Sequence, residues 1–336
     1  MMRIGSNLAL TLTLLVILVL LIIVAAILSP LFLTYNNIVN LLTQVSFTGI
    51  LSIGMTVVIL TGGIDLSVGS IVAFSSILFA TLLHGNIFTF MPKQIFIYSS
   101  KSQELIPFLP IPLNLAIVIM AGALIGLVNG GLSYFLKLHS FIITLGTMFA
   151  VRGLAMCYTN GQPLYGVPPY TNFLAYGFLL GLPVPALLWL VLLLLGAMAL
   201  KYSRYGRRIY AVGGNEEAAR LSGIMPVWYR ISPFVISGVC AAFVGVLLSG
   251  RMGAGDPTVA NGWELDAIGA VVIGGTILQG GRGNLGGTLI GVLIVGVVVD
   301  AMDLLGIRAY PQQMVKGAMV VMAVALQNIF IRVGRK

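Results

Sequence analysis

Apolar runs about one membrane thickness long alternate with short polar breaks along this chain. About 20 apolar residues in a helix cross the roughly 30 Å hydrocarbon core of a bilayer. The pattern predicts ten helical spans, at about 8–29, 42–61, 66–83, 113–134, 139–158, 183–200, 231–250, 266–279, 285–304 and 312–331. The eighth is short and glycine-rich, which suits a broken or re-entrant helix, so eight or nine full crossings remain open. The first run, Leu8–Leu28, is about 21 residues long. A cleaved signal peptide has an apolar core of only about 7–15 residues, so this run reads as a retained span.

Composition fits the pattern. The chain of 336 residues is 59% hydrophobic and 8% charged, with a mean hydropathy of +1.06. Soluble domains carry about 25% charged residues. The predicted fold is all-α: a polytopic integral membrane protein with about ten transmembrane helices, forming one domain over 1–336. The net charge of +9 invites a nucleic-acid partner, but the basic residues sit at segment ends. The cytoplasmic bias of Lys and Arg explains them more simply, and no nucleic-acid partner is expected.

That bias also orients the chain. With the N-terminus inside, 12 of 18 basic residues fall inside, among them Arg3, Arg204, Arg207, Arg208, Arg220 and Lys336. Lys93, Lys101, Arg251 and Arg308 fall outside, and Arg152 and Lys316 lie within spans. Both termini and the 201–230 loop are then cytoplasmic. The longest outside segment, about 84–112, carries Lys93, Lys101 and Glu104. It suits a solvated loop or a docking surface for an external protein. The loop Asn160–Leu182 is external too.

The 201–230 loop holds a polar island, Tyr210-Ala-Val-Gly-Gly-Asn-Glu-Glu-Ala-Ala-Arg-Leu-Ser-Gly-Ile224. Gly213 and Gly214 suggest a flexible lead-in. Asn215 is a good N-cap. Glu216 and Glu217 then oppose the positive end of the helix dipole, and Gly223 stands where a left-handed C-terminal cap is expected. A short helix capped at both ends is either a well-formed loop element or a docking point.

Two glycine-rich runs interrupt the spans, Leu60-Thr-Gly-Gly-Ile-Asp-Leu-Ser-Val-Gly-Ser70 and Val272-Ile-Gly-Gly-Thr-Ile-Leu-Gln-Gly-Gly-Arg-Gly-Asn-Leu-Gly-Gly287. Non-helical backbone at membrane depth is tolerated only inside protein or beside water. Each run therefore marks a lined pathway or a tight helix seam. The G-x-x-x-x-G-K-[ST] phosphate loop occurs nowhere in the chain, so no nucleotide cofactor is expected. Cys157, Cys240, His84 and His139 show no metal-ligand spacing.

Glu217-Ala218-Ala219 with Gly223 resembles the E-A-A-x-x-x-G coupling loop of ABC importer permeases. Taken with the two glycine runs, Phe141-Ile-Ile-Thr-Leu-Gly-Thr147, Asn160-Gly-Gln-Pro163 and Glu264-Leu-Asp-Ala-Ile268, the chain is similar to permeases of ribose-, galactose- and xylose-type importers, from about residue 36 to 328. The resemblance implies that Asn215, Glu216, Glu217, Ala218, Ala219 and Gly223 form a coupling helix that inserts into an ABC ATPase subunit, its small alanines allowing close approach. It also implies a periplasmic solute-binding protein, a second permease copy or paralogue completing a dimer, a bacterial inner membrane with its lipid, and a non-catalytic role for this chain. Two departures stand out. Asp300-Ala301-Met302-Asp303 replaces the family's usual Asn-Gly-Leu-Asn, and the segment near 84–112 is longer than usual.

Few charges remain near the membrane. Glu104, Asp256, Glu264 and Asp266 fall in or near outside loops. An ionised carboxylate at a span's centre costs about 2.5–3.5 kcal/mol on insertion scales, and usually faces a cavity or a partner. Asp65 either caps the helix starting near Leu66 or lines a path. Asp300 either lines a path, with Asn129 and Gln44 offering further sites for sugar hydroxyls, or plays a structural part. The function expected is alternating-access import of a monosaccharide or related small polar solute. Alternatives are an ABC permease for nucleosides or branched-chain amino acids, or an ion-coupled secondary transporter, which also breaks its helices near the midplane.

Overall fold

The computed structural model describes residues 2–84, 110–168, 171 and 173–333, with the side chains of 2–10, 84 and 326–333 excepted. Lys93, Lys101 and Glu104, the charges of the long outside segment, lie outside the described residues. Thirteen helices occupy the described chain: α1 (Met2–Leu28), α2 (Tyr35–Leu60), α3 (Val68–His84), α4 (Ile111–Phe135), α5 (Ser140–Thr159), α6 (Phe173–Tyr176), α7 (Val184–Tyr202), α8 (Arg204–Gly214), α9 (Glu216–Leu221), α10 (Pro226–Met252), α11 (Trp263–Ile273), α12 (Leu285–Leu304) and α13 (Ala309–Val333). Among the described residues, strands are confined to two-residue pieces. β1 (Leu164–Tyr165) pairs antiparallel with β4 (Ala254–Gly255), and β2 (Phe178–Leu179) pairs with β3 (Leu182–Pro183).

A helix stands at each of the ten expected span positions. Seven of the described helices are long and apolar enough to cross a membrane: α1, α2, α4, α5, α7, α10 and α12. The protein is therefore a multi-span, all-α membrane protein. α3 is a shorter apolar helix, and α11 has 11 residues before the second glycine run ends it.

The chain divides into two compact units. One takes residues up to Gly63, Ala186–Tyr229, and from Leu265 onward. In it α1 and α2 both pack on α12, and Leu14, Leu18, Phe32, Ile290, Ile294 and Val297 form a buried cluster. Thr56 and Thr288 hydroxyls meet at 2.8 Å across the α2–α12 seam. Lys316 on α13 pairs with Asp266 at 2.8 Å. The sequence places Asp266 in or near a loop. In the structure it sits in α11, and the partner that makes its burial tolerable is 50 residues away.

The second unit takes Ile64–Pro185 and Arg230–Glu264. Phe79, Leu82, Leu83, Val118, Val167 and Val246 make its core. The α4–α10 seam follows from the spacing Gly122, Gly126, Gly130. A Cβ at any of these would run into the α10 backbone near Gly238, Phe234 or Ile231. Small residues four apart let membrane helices approach this closely. Arg152 on α5 donates to the carbonyls of Pro257 at 2.7 Å and Val259 at 2.8 Å, pinning the segment before α11.

Candidate functional site

α8 and α9 are built by local chemistry. Ser203 caps α8 by accepting from Gly206 N at 3.0 Å. Ile209 and Val212 are buried, while Arg204, Arg207 and Arg208 are exposed, so α8 lies with one apolar face on the protein. Arg208 donates to the Tyr229 hydroxyl at 2.7 Å. Asn215 ends α8, its N–H donating to Ala211 O, and begins α9, its Oδ1 accepting from Ala218 N at 2.9 Å. One residue thus serves two helices, and no slack separates them.

Gly213 and Gly214 correct an expectation. They are the last turn of α8, not a flexible lead-in. Gly213 is required sterically, because a Cβ there would overlap the Leu60 carbonyl oxygen.

α9 ends in a Schellman arrangement. Gly223 N donates to Arg220 O and Ile224 N to Ala219 O, both at 3.0 Å, and Gly223 has φ +80°. Glu216 and Glu217 lie in its first turn. Glu217 pairs with Arg220 at 2.7 Å. That hydrogen bond, with the guanidinium's charge, holds the Glu217 carboxyl below its usual range.

The two alanines part company in the structure. Ala218 is exposed, whereas Ala219 is buried against the protein. Of the two small side chains, only Ala218 faces outward. Leu221, Met225 and Trp228 are also exposed, at 78%, 72% and 66%. The sequence pattern did not single out these three. Large apolar groups beside a capped polar helix were the available signal.

The residues considered for a path fall into separate settings. Gln44 on α2 is exposed. Asp65 is fully buried, with Oδ1 accepting from Ser67 N at 3.0 Å and Ser67 Oγ at 2.6 Å, and Oδ2 from Ser237 Oγ at 2.8 Å. Asn129, also fully buried, donates to Ser67 Oγ at 2.9 Å and accepts from Thr147 at 2.6 Å. Asp65 and Asn129 thus share one hydrogen-bonded chain joining α4, α5, α10 and the turn before α3. Asp300 is buried on α12 and accepts from Asn37. Among the described residues no group of three His, Cys, Asp or Glu side chains could hold a metal ion.

Known proteins resemble the chain over most of its length. The ribose import permease protein RbsC of Bacillus subtilis is 41% identical over 309 residues, covering 91% of this chain and 89% of the relative. The D-allose transport system permease protein AlsC of Escherichia coli is 36% identical, covering 89% and 85%. The L-arabinose ABC transporter permease protein AraH of Azospirillum brasilense is 36% identical, covering 88% and 80%. No solved structure matches. Residues 37–324 match the family described as "Branched-chain amino acid transport system / permease component", and the chain is a member of that permease family.

Proposed function

We propose that this chain is the permease of an ABC importer that carries a monosaccharide across a bacterial inner membrane. The observation that carries the assignment is α9. It is a short helix, capped at both ends, presenting Ala218 and Leu221 to solvent, with Met225 exposed in the turn that follows. An exposed apolar patch rimmed by charge marks a protein-interaction site. Its partner is an ABC ATPase subunit on the cytoplasmic side, and Asn215, Glu216, Glu217, Ala218, Ala219 and Gly223 shape the docking element.

The sugar assignment draws on relatives named for ribose, allose and arabinose. The family description names branched-chain amino acids, but these relatives at 36–41% identity favour the sugar. A periplasmic binding protein delivers the solute, and a second permease copy or paralogue completes the path. ATP binding closes the ATPase pair and moves both α9 helices, so the path opens first outward and then inward. Gln44 keeps an exposed amide that suits sugar hydroxyls. Asp65, Asn129 and Asp300 serve structure instead, since each already has an intramolecular partner.

Uptake of labelled monosaccharides, nucleosides and branched-chain amino acids by cells with and without the chain tests the assignment. A chain-dependent signal for a monosaccharide alone is expected. Signal confined to an amino acid would replace the substrate.

A further inference from the structure

Three glycine-bearing segments far apart in sequence meet at one point in the first unit. Gly281 N donates to the Leu60 carbonyl at 2.8 Å. The missing Cβ of Gly213 faces that same carbonyl oxygen and lies 2.9 Å from Gly281 N. A Cβ on Gly280 would lie 2.8 Å from both Gly213 O and Gly62 N. Gly280 and Gly281 take φ of +88° and +73°, which other residues rarely adopt. The Tyr210 hydroxyl adds a donor to Gly283 O at 2.9 Å. So the last turn of α8, the end of α2 and the 274–284 turn touch backbone to backbone.

Side chains can absorb a small displacement by changing rotamer, but a close-packed backbone contact passes it on. α8 is joined to α9 through Asn215, which caps both. We infer that this junction is the element through which displacement of α9 reaches α2 and the 274–284 turn ahead of α12, with Gly213 and Tyr210 as its positioning residues. The inference rests on the proposal that α9 docks an ATPase. It assigns Leu60-Thr-Gly-Gly63 and Gln279-Gly-Gly-Arg-Gly283 to transmission rather than to solute contact.

The test uses the full transporter in proteoliposomes, with permease, ATPase and binding protein, and ribose or whichever monosaccharide the uptake panel selects. The readout is sugar moved per ATP hydrolysed, beside the ATPase retained on purification. Gly213→Ala fills the junction. Gly214→Ala makes the same change where a Cβ meets nothing within 4 Å. Tyr210→Phe removes one hydrogen bond and keeps the ring. Gly213→Ala and Tyr210→Phe are expected to retain the ATPase but lower the ratio about fivefold or more, the usual scale of a coupling energy. Gly214→Ala should match the wild type. If Gly213→Ala fails to reach the membrane, Tyr210→Phe alone decides. A wild-type ratio in Tyr210→Phe overturns the junction while leaving α9 docking intact. Harmless substitutions throughout α9 overturn the docking proposal and the junction with it.

Discussion

Asn37 donates its side-chain amide to Asp300 Oδ2 at 2.8 Å and to the Phe32 carbonyl at 3.0 Å. One amide therefore ties α12 to the connection between α1 and α2. Asp303, one turn on, accepts from Gln312 at 2.6 Å, and Gln312 also donates to Ile307 O. The two carboxylates fasten the connections that precede α2 and α13. Asp300→Asn retains an oxygen able to accept from Asn37, so membrane level and sugar preference should both stay near wild type. Asp300→Ala leaves the half-buried Asn37 amide with one partner fewer, which costs about 0.5–1.5 kcal/mol, the net worth of an ordinary hydrogen bond. A membrane blot beside an uptake panel checks both. Changed sugar preference in Asp300→Asn would return this residue to the path.

The Asp65 network makes a second prediction. Asp65→Ala strips acceptors from the Ser67 amide and hydroxyl and from Ser237 at once. The purified protein should lose about 1–3 kcal/mol for each buried donor left unpaired, seen as a lower melting temperature in detergent. Asp65→Asn keeps one acceptor and should fall between. Equal melting temperatures for the three proteins would remove the network from the stability account.

The boundaries of α9 were legible because capping is local, whereas the end of α8 at Gly214 was not. Asn215 and Gly223 act on atoms within four residues of themselves. The role of Gly213 was not legible, because the carbonyl it clears belongs to Leu60, about 150 residues earlier. For the same reason the pattern marked Asp300 as unusual but gave no partner, and placed Asp266 in or near a loop, since Asn37 and Lys316 lie on other helices. The capping contact of Asp65 with Ser67 N is local, whereas its second oxygen accepts from Ser237 on α10, 172 residues away, which no local pattern reveals. The exposed apolar groups at and after the end of α9, Leu221 and Met225, were missed because exposure is a property of the folded surface and not of local spacing.

Orientation makes a third prediction. Ser222 belongs to the basic loop, and Leu180, 93% exposed at the β2–β3 turn, belongs to the Asn160–Leu182 loop. Single cysteines at these two sites, in a background lacking Cys157 and Cys240, should react with an impermeant thiol reagent from opposite sides. Reaction from one side would break the proposed topology.

The exposed apolar pair at the end of α9 and in the turn after it makes a fourth. Leu221→Ser and Met225→Ser remove exposed apolar surface, so stability should change by no more than about 0.5 kcal/mol. Retention of the ATPase on purification should nonetheless fall. Full retention in the double variant would place docking elsewhere.

ATP-dependent monosaccharide uptake into proteoliposomes carrying wild-type or Gly223→Asp chain tests the central claim most directly. An aspartate at φ +80° strains the C-terminal cap and sets negative charge at the negative end of the dipole. Wild-type uptake should require the ATPase, the binding protein and ATP together, and should collapse in Gly223→Asp while the chain stays in the membrane. Uptake that persists without the ATPase, driven by an ion gradient and indifferent to Gly223→Asp, would contradict the claim.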